Sequence, residues 1–102
     1  MKRIPLKKIP VTTPDGKEDI LDYKTMLELI VRNPGDPTKH GMDITEIRGS
    51  LRVLDALEKA EEDWVDFEDA DYNFLAGKVR EARFGMVHLA IVQFVDDVTS
   101  TT

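Results

Sequence analysis

Eight of the fourteen residues from Glu58 to Asp71 are carboxylates (Glu58, Glu61, Glu62, Asp63, Asp66, Glu68, Asp69 and Asp71), with Lys59 the only base among them. Three kinds of chemistry use such a run. A calcium loop needs oxygens at alternate positions, a glycine at the sixth and a bidentate Glu at the twelfth. Counted from Asp69, the first, third and fifth positions are Asp69, Asp71 and Asn73, but the sixth is Phe74 and the twelfth is Arg80. The pattern fails where its geometry is decided, and no metal is expected. A glycosidase-like pair needs two carboxyls facing each other in environments that split their pKa values, and these acids read as solvated. A recognition patch would offer negative charge to a basic partner, speeding encounter more than adding affinity. Against all three stands the plain reading, a solvated loop and acid-rich first helical turn that complements the helix dipole.

Nucleophilic catalysis has little to work with. Cysteine is absent, His40 and His88 are the only histidines, and neither Ser50 nor Ser100 lies in a Gly-x-Ser-x-Gly setting. The six glycines occur singly, so no phosphate-cradling loop exists, and Gly77 within a helical stretch reads as a site of close packing. No catalytic residue and no cofactor is expected. Trp64 precedes the acidic start Asp66, Glu68, Asp69, Asp71. It would either pack back on the following helix or stand exposed as a partner anchor, since large aromatics dominate interface energetics. The basic start Lys2, Arg3, Lys7, Lys8 reads as a solubilising edge or as an arm reaching an acidic neighbour, including another copy of this chain. Candidate partner-binding residues are therefore Trp64, Asp66, Glu68, Asp69, Asp71, Lys7 and Lys8.

The elements that must position these residues divide at the prolines. All five (Pro5, Pro10, Pro14, Pro34, Pro37) lie in the first forty residues and disfavour long helices there. Residues 3–22 read as a β-hairpin: Arg3 to Val11 extended, a turn at Pro14-Asp15-Gly16-Lys17, and a return through Glu18 to Asp22. Pro5 and Pro10 restrict its strand to an edge. A short helix over Tyr23–Arg32 is stopped by Asn33-Pro34-Gly35-Asp36-Pro37, and the loop 33–42 is expected to be mobile. Asp43-Ile44-Thr45-Glu46 has the form of a capping box. The helix after it is predicted to bury Ile44, Ile47, Leu51, Leu54 and Leu57, with Arg48, Arg52, Asp55, Glu58 and Lys59 outward. Asp66 is predicted to start a third helix carrying Phe74, Leu75, Val79 and Ala82, broken at Phe84-Gly85. Met86 to Val98 reads as a fourth, apolar enough to be the central helix or to face another subunit.

Composition sets the outer bounds. One hundred and two residues, 41% hydrophobic and 33% charged, suit one domain able to fold without disulfides. The net charge of −6 argues against direct nucleic-acid binding, which needs a basic surface to displace counterions. It is also unevenly placed: residues 1–40 hold eight basic and six acidic groups, residues 41–102 six and fourteen. No signal peptide is visible, because the charges of Met1 to Lys8 are followed by Ile9-Pro10-Val11-Thr12-Thr13-Pro14 and not by an apolar core. No apolar run is long enough for a membrane span, and a cytoplasmic location is expected.

The order of elements resembles a group of small proteins encoded by tailed phages and prophages, often in clusters for virion structure and assembly. The likeness lies in the Asp15-Gly16 turn after an extended start, a first helix, a helix rich in Arg and Leu from Glu46 to Ala60, the acidic start Val65 to Tyr72, and the closing Ile91 to Val98. It implies a non-enzymatic protein acting by protein contact, with host cytoplasm or virion as its location and a virion protein or a second copy as partner. The expected fold is mainly α: a bundle of three to four helices with a short N-terminal β-hairpin or extended arm. One domain is expected over 1–102, with a hairpin or arm at 1–22, a helical core at 23–98 and a disordered tail at 99–102. The alternative function is an acidic inhibitor that mimics nucleic-acid charge and blocks a host nuclease or polymerase.

Overall fold

The computed structural model describes residues 1–13, 15–32, 41–82, 84 and 89–100. Eight elements follow in order: β1 (Lys2–Pro5), β2 (Lys8–Thr12), β3 (Glu18–Asp22), α1 (Tyr23–Arg32), α2 (Ile44–Lys59), β4 (Trp64–Phe67), α3 (Asp69–Glu81) and α4 (Leu89–Thr99). This is a mixed α/β fold, and the expectation of a mainly helical bundle with a hairpin or arm is corrected by its two antiparallel sheets, β2–β3 and β1–β4.

The predicted hairpin is half right. Its return strand is β3, and Gly16 takes the left-handed φ of 85° that the turn requires. Its first strand, however, is two strands. Only Lys8–Thr12 pairs with β3, while Lys2–Pro5 pairs with β4, Ile4 opposite Val65 and Pro5 opposite Trp64. The reason lies in Trp64-Val65-Asp66-Phe67, which alternates exposed Trp64, buried Val65, half-buried Asp66 and buried Phe67. Branched and aromatic residues at period two favour strand over helix start.

The prolines fit this pairing at no cost to the ladders. Leu6 N–H donates to the Asp63 carbonyl at 2.8 Å, and Tyr23 N–H donates to the Lys7 carbonyl at 3.0 Å. In antiparallel pairs hydrogen-bonded and non-hydrogen-bonded positions alternate, so Pro5 and Pro10 fall on the outward-facing, non-bonded ones. Their missing N–H groups would have pointed away from the partner strand. The other hairpin edge is blunted too, because the outward Ile20 N–H donates to its neighbour's carboxylate, Asp19 Oδ1, at 2.8 Å.

Asp43 caps α2 as predicted, its Oδ1 accepting from Glu46 N–H at 2.8 Å. The buried face of α2 is the predicted one at Leu57 and in part at Leu54, but not at Ile44, Ile47 and Leu51. Gly49, Ser50, Val53 and Leu57 are buried, Leu54 is half-buried, and Ile44, Ile47 and Leu51 are 60%, 40% and 60% exposed. Small residues win because they allow neighbouring helices to approach. A Cβ on Gly49 would stand 3.2 Å from the Phe74 ring of α3, and Ser50 Oγ donates to the Val31 carbonyl of α1 at 2.9 Å. Gly77, expected to mark close packing, has no atom beyond its chain neighbours and its own helix backbone within 4 Å of where its Cβ would be.

The third helix starts at Asp69, with Glu68 at its N-cap making no side-chain cap bond, so Asp66 is not its start. The expected acid-to-base polarity is present, with Asp69 and Asp71 in the first turn and Lys78 and Arg80 in the last. The last helix, α4, buries Ala90, Phe94 and Val98, and its Phe94 ring meets Tyr23 edge-on at 4.9 Å. Tyr72 of α3 donates its hydroxyl to the Val98 carbonyl at 2.7 Å. Ile4, Tyr23, Leu27, Val31, Val53, Leu57, Leu75, Val79, Phe94 and Val98 are fully buried in one cluster drawn from β1 and all four helices. The helical core therefore includes a strand from the segment read as an arm. Residue 99 ends α4, Ser100 N–H donates to the Asp96 carbonyl, and 101–102 lie outside the described residues. So do most of loop 33–42, the helix break at Gly85, both histidines, and Met86 and Val87.

Candidate functional site

The basic start and the acidic run meet within one chain. Arg3 donates from Nε to Asp66 Oδ1 at 2.9 Å and from Nη2 to Asp66 Oδ2 at 3.2 Å, and its guanidinium lies 3.7 Å from the centre of the Trp64 ring. The three residues share one sheet because β1 pairs with β4 in a register that sets Arg3 against Asp66. Hydrogen bonding to Arg3 holds the Asp66 carboxyl below its ordinary value. Trp64 is 37% exposed but carries a cation on one face. It does not stand bare.

Lys7 has a comparable tie. Its Nζ lies 3.0 Å from Asp97 Oδ2 of α4, and the same oxygen accepts from the Tyr23 hydroxyl at 2.7 Å. Burial pushes the Asp97 carboxyl up, but its hydrogen bonds from Tyr23, Lys7 and Gln93 outweigh that and leave it below the ordinary range. Burial, then the bond to Asp97, moves the Tyr23 hydroxyl well above its usual value. Lys8 is exposed on β2, in register with Asp22 of β3.

Asp71 accepts from Arg52 Nε of α2 at 2.9 Å, while Glu68 and Asp69 are exposed. The seven candidates therefore do not converge. Trp64 and Asp66 lie together with Arg3, Asp71 is bound to α2, and Lys7 and Lys8 belong to the hairpin side. Among the described residues, no group of three or more His, Asp or Glu is placed to hold a metal ion, and no helix is long and apolar enough to cross a membrane.

Ile44, Ile47 and Leu51, expected in the core, stand outside instead and join the outward Arg48, Asp55 and Glu58 in one surface. At 3.6 residues per turn, Ile44, Ile47, Arg48, Leu51, Asp55 and Glu58 fall within an arc of roughly 100° on α2, and all are exposed. Over its first two turns the strip carries Ile44, Ile47 and Leu51 with Arg48 at one flank, and beyond them it is acidic. At its acidic end a shallow groove, lined by Lys59, Glu61, Glu62, Trp64 and Asp66 among others, separates the end of α2 from β4. Glu61, Glu62 and Asp63 have no ion pair among the described residues. The available signal was Gly49-Ser50 one turn from Val53: small residues on a helix mark its close-packed side as well as large apolar ones do.

Comparison of the chain with protein-family models, with curated proteins and with solved structures finds no match.

Proposed function

We propose that this chain is a non-enzymatic protein–protein contact module whose main surface is the outward face of α2. One observation carries the reading: Ile44, Ile47 and Leu51, spaced at i, i+3 and i+7, stay exposed on a well-capped helix whose other side is packed. Single exposed apolar residues are ordinary, whereas an apolar strip along one helix is the form in which helices present anchors to partners. The blunted edges of β1, β2 and β3 make strand addition there a poor alternative. The specific form we propose, a tailed-phage virion assembly or accessory protein, rests on the likeness in element order alone. The nucleic-acid mimic is not favoured, because Asp66 and Asp71, two of its four carboxylates, are already neutralised by Arg3 and Arg52.

The test is site-specific photo-crosslinking in the native cell from position 51, with Thr25, exposed on α1, as control. A defined protein adduct from position 51, absent from position 25 and lost when Ile47→Ser is added, supports the reading. Equal adducts from both positions, or none from position 51, overturn it.

A further inference from the structure

Resting on that reading of α2, we infer that the occupant of its outward face is a cationic amphipathic segment of another protein: an apolar stripe with lysines or arginines at one end. The strip has two unlike halves. Its first half offers Ile44, Ile47 and Leu51 as an apolar seat, flanked by Arg48, whose methylene stem can extend it. Its second half and the turn after it hold Asp55, Glu58, Glu61, Glu62 and Asp63 against Lys59 alone. Of these only Asp55 has a close cation, Lys59 at 2.9 Å. The other nearby bases are committed elsewhere, Arg52 to Asp71 and Arg3 to Asp66, both at 2.9 Å. An approaching segment therefore meets negative potential at the end of α2 and apolar surface at its beginning.

A second copy fits this surface less well. If two α2 helices pair in parallel through the strip, Asp55 meets Asp55 of the other copy. If they pair antiparallel about Leu51, Arg48 falls beside Asp55 of the other copy, but Glu58 is laid against Ile44 and the acids Glu61, Glu62 and Asp63 gain no cation. Like charges across the interface disfavour the first arrangement, and the second leaves most of the acidic end unanswered. A cationic segment meets neither obstacle, and its basic end gains on-rate from the field of the acidic end.

Two designed helical peptides with the same apolar stripe, one ending in a run of lysines and the other in a run of glutamates, provide the probe. Fluorescence anisotropy is read against the whole chain, its Ile47→Ser/Leu51→Ser variant and its Glu61→Lys/Glu62→Lys variant. All four substituted side chains are exposed, and circular dichroism checks each fold. The expected result is that the lysine-ended peptide binds at least about tenfold more tightly at low salt, with the gap closing as salt is raised. The serine variant loses that binding and the lysine variant loses the preference. If both peptides bind alike and the serine variant loses both, the α2 face stands as a contact surface and the cationic partner is overturned. If the lysine-ended peptide binds the serine variant as well as the parent chain, both readings fail. A dimer by sedimentation that the serine variant dissolves, and that excludes the peptide, makes a second copy the occupant and also overturns the inference.

Discussion

At Tyr23 a completely buried ring carries a hydroxyl that reaches Asp97, seventy-four residues away, at 2.7 Å, and Lys7 closes on the same oxygen. The sequence showed Lys7 only as part of a basic start available to a partner. Its use inside the chain depends on where α4 ends, which local spacing does not encode. Hydrogen bonds to a charged group contribute about 1.5–3 kcal/mol, so Tyr23→Phe is expected to lower stability by about that amount in urea denaturation, with the core shape kept. The pH dependence has a definite sign. Asp97 is held below its ordinary 3.8, so the folded state binds fewer protons than the unfolded state as that range is crossed. Its contribution is complete above 3.8 and declines as pH falls through the lower folded value. Asp97→Asn should therefore show a smaller loss of stability than the parent chain between about pH 5 and about pH 2. Equal losses in the two proteins would refute this role for Asp97.

Among the elements, α2 shows where pattern reading succeeds and where it stops. Its start was legible, because capping is a contact between residues three apart, and Asp43 makes it. Its buried face was legible only toward its end, at Leu57 and in part Leu54, because over the first turns two helix faces competed and the choice depended on what packs against them. The face with larger side chains lost to the one with Gly49 and Ser50, where Phe74 and the Val31 carbonyl come close. The two helical glycines turn this into a stability prediction. Replacing glycine by alanine within a helix gains about 0.5–1 kcal/mol when the new methyl has room. Gly77→Ala, with open space around it, should gain that amount. Gly49→Ala should gain clearly less or destabilise, since its methyl meets the Phe74 ring at 3.2 Å. Equal gains by denaturant midpoint would show that Phe74 does not hold its place.

For the molecule as a whole, the decisive contact joins its first residues to its middle. Ile4 is completely buried opposite Val65, and Arg3 is bound to Asp66. What reads as a detachable arm is a strand of the core. Ile4→Ala should cost about 2–5 kcal/mol, the range for deleting large buried aliphatic groups. Removing residues 1–5 should cost more, because it also strips β4 of its pairing strand and leaves Val65 and Phe67 without cover. Thermal melting followed by circular dichroism checks both. A truncated chain with unchanged stability would return β1 to the status of an arm.

Residues close in sequence determined much of this protein by themselves: the turn at Gly16, the span of α1, the cap of α2, the charge polarity of α3 and the restriction of Pro5 and Pro10 to edge positions. Each depends on contacts within a few residues or on one residue's backbone freedom. Tertiary structure alone decided that Trp64 to Phe67 pairs with Lys2 to Pro5, that Arg3 and Lys7 of the basic start are bound by acids of their own chain, and that Ile44, Ile47 and Leu51 face outward. These outcomes compare distant surfaces for fit, and closeness of approach, set by Gly49 and Ser50, outweighed the count of large apolar side chains. The negative charge legible as a run from Glu58 to Asp71 thereby divides into a paired part at Asp66 and Asp71 and an unpaired part at the end of α2.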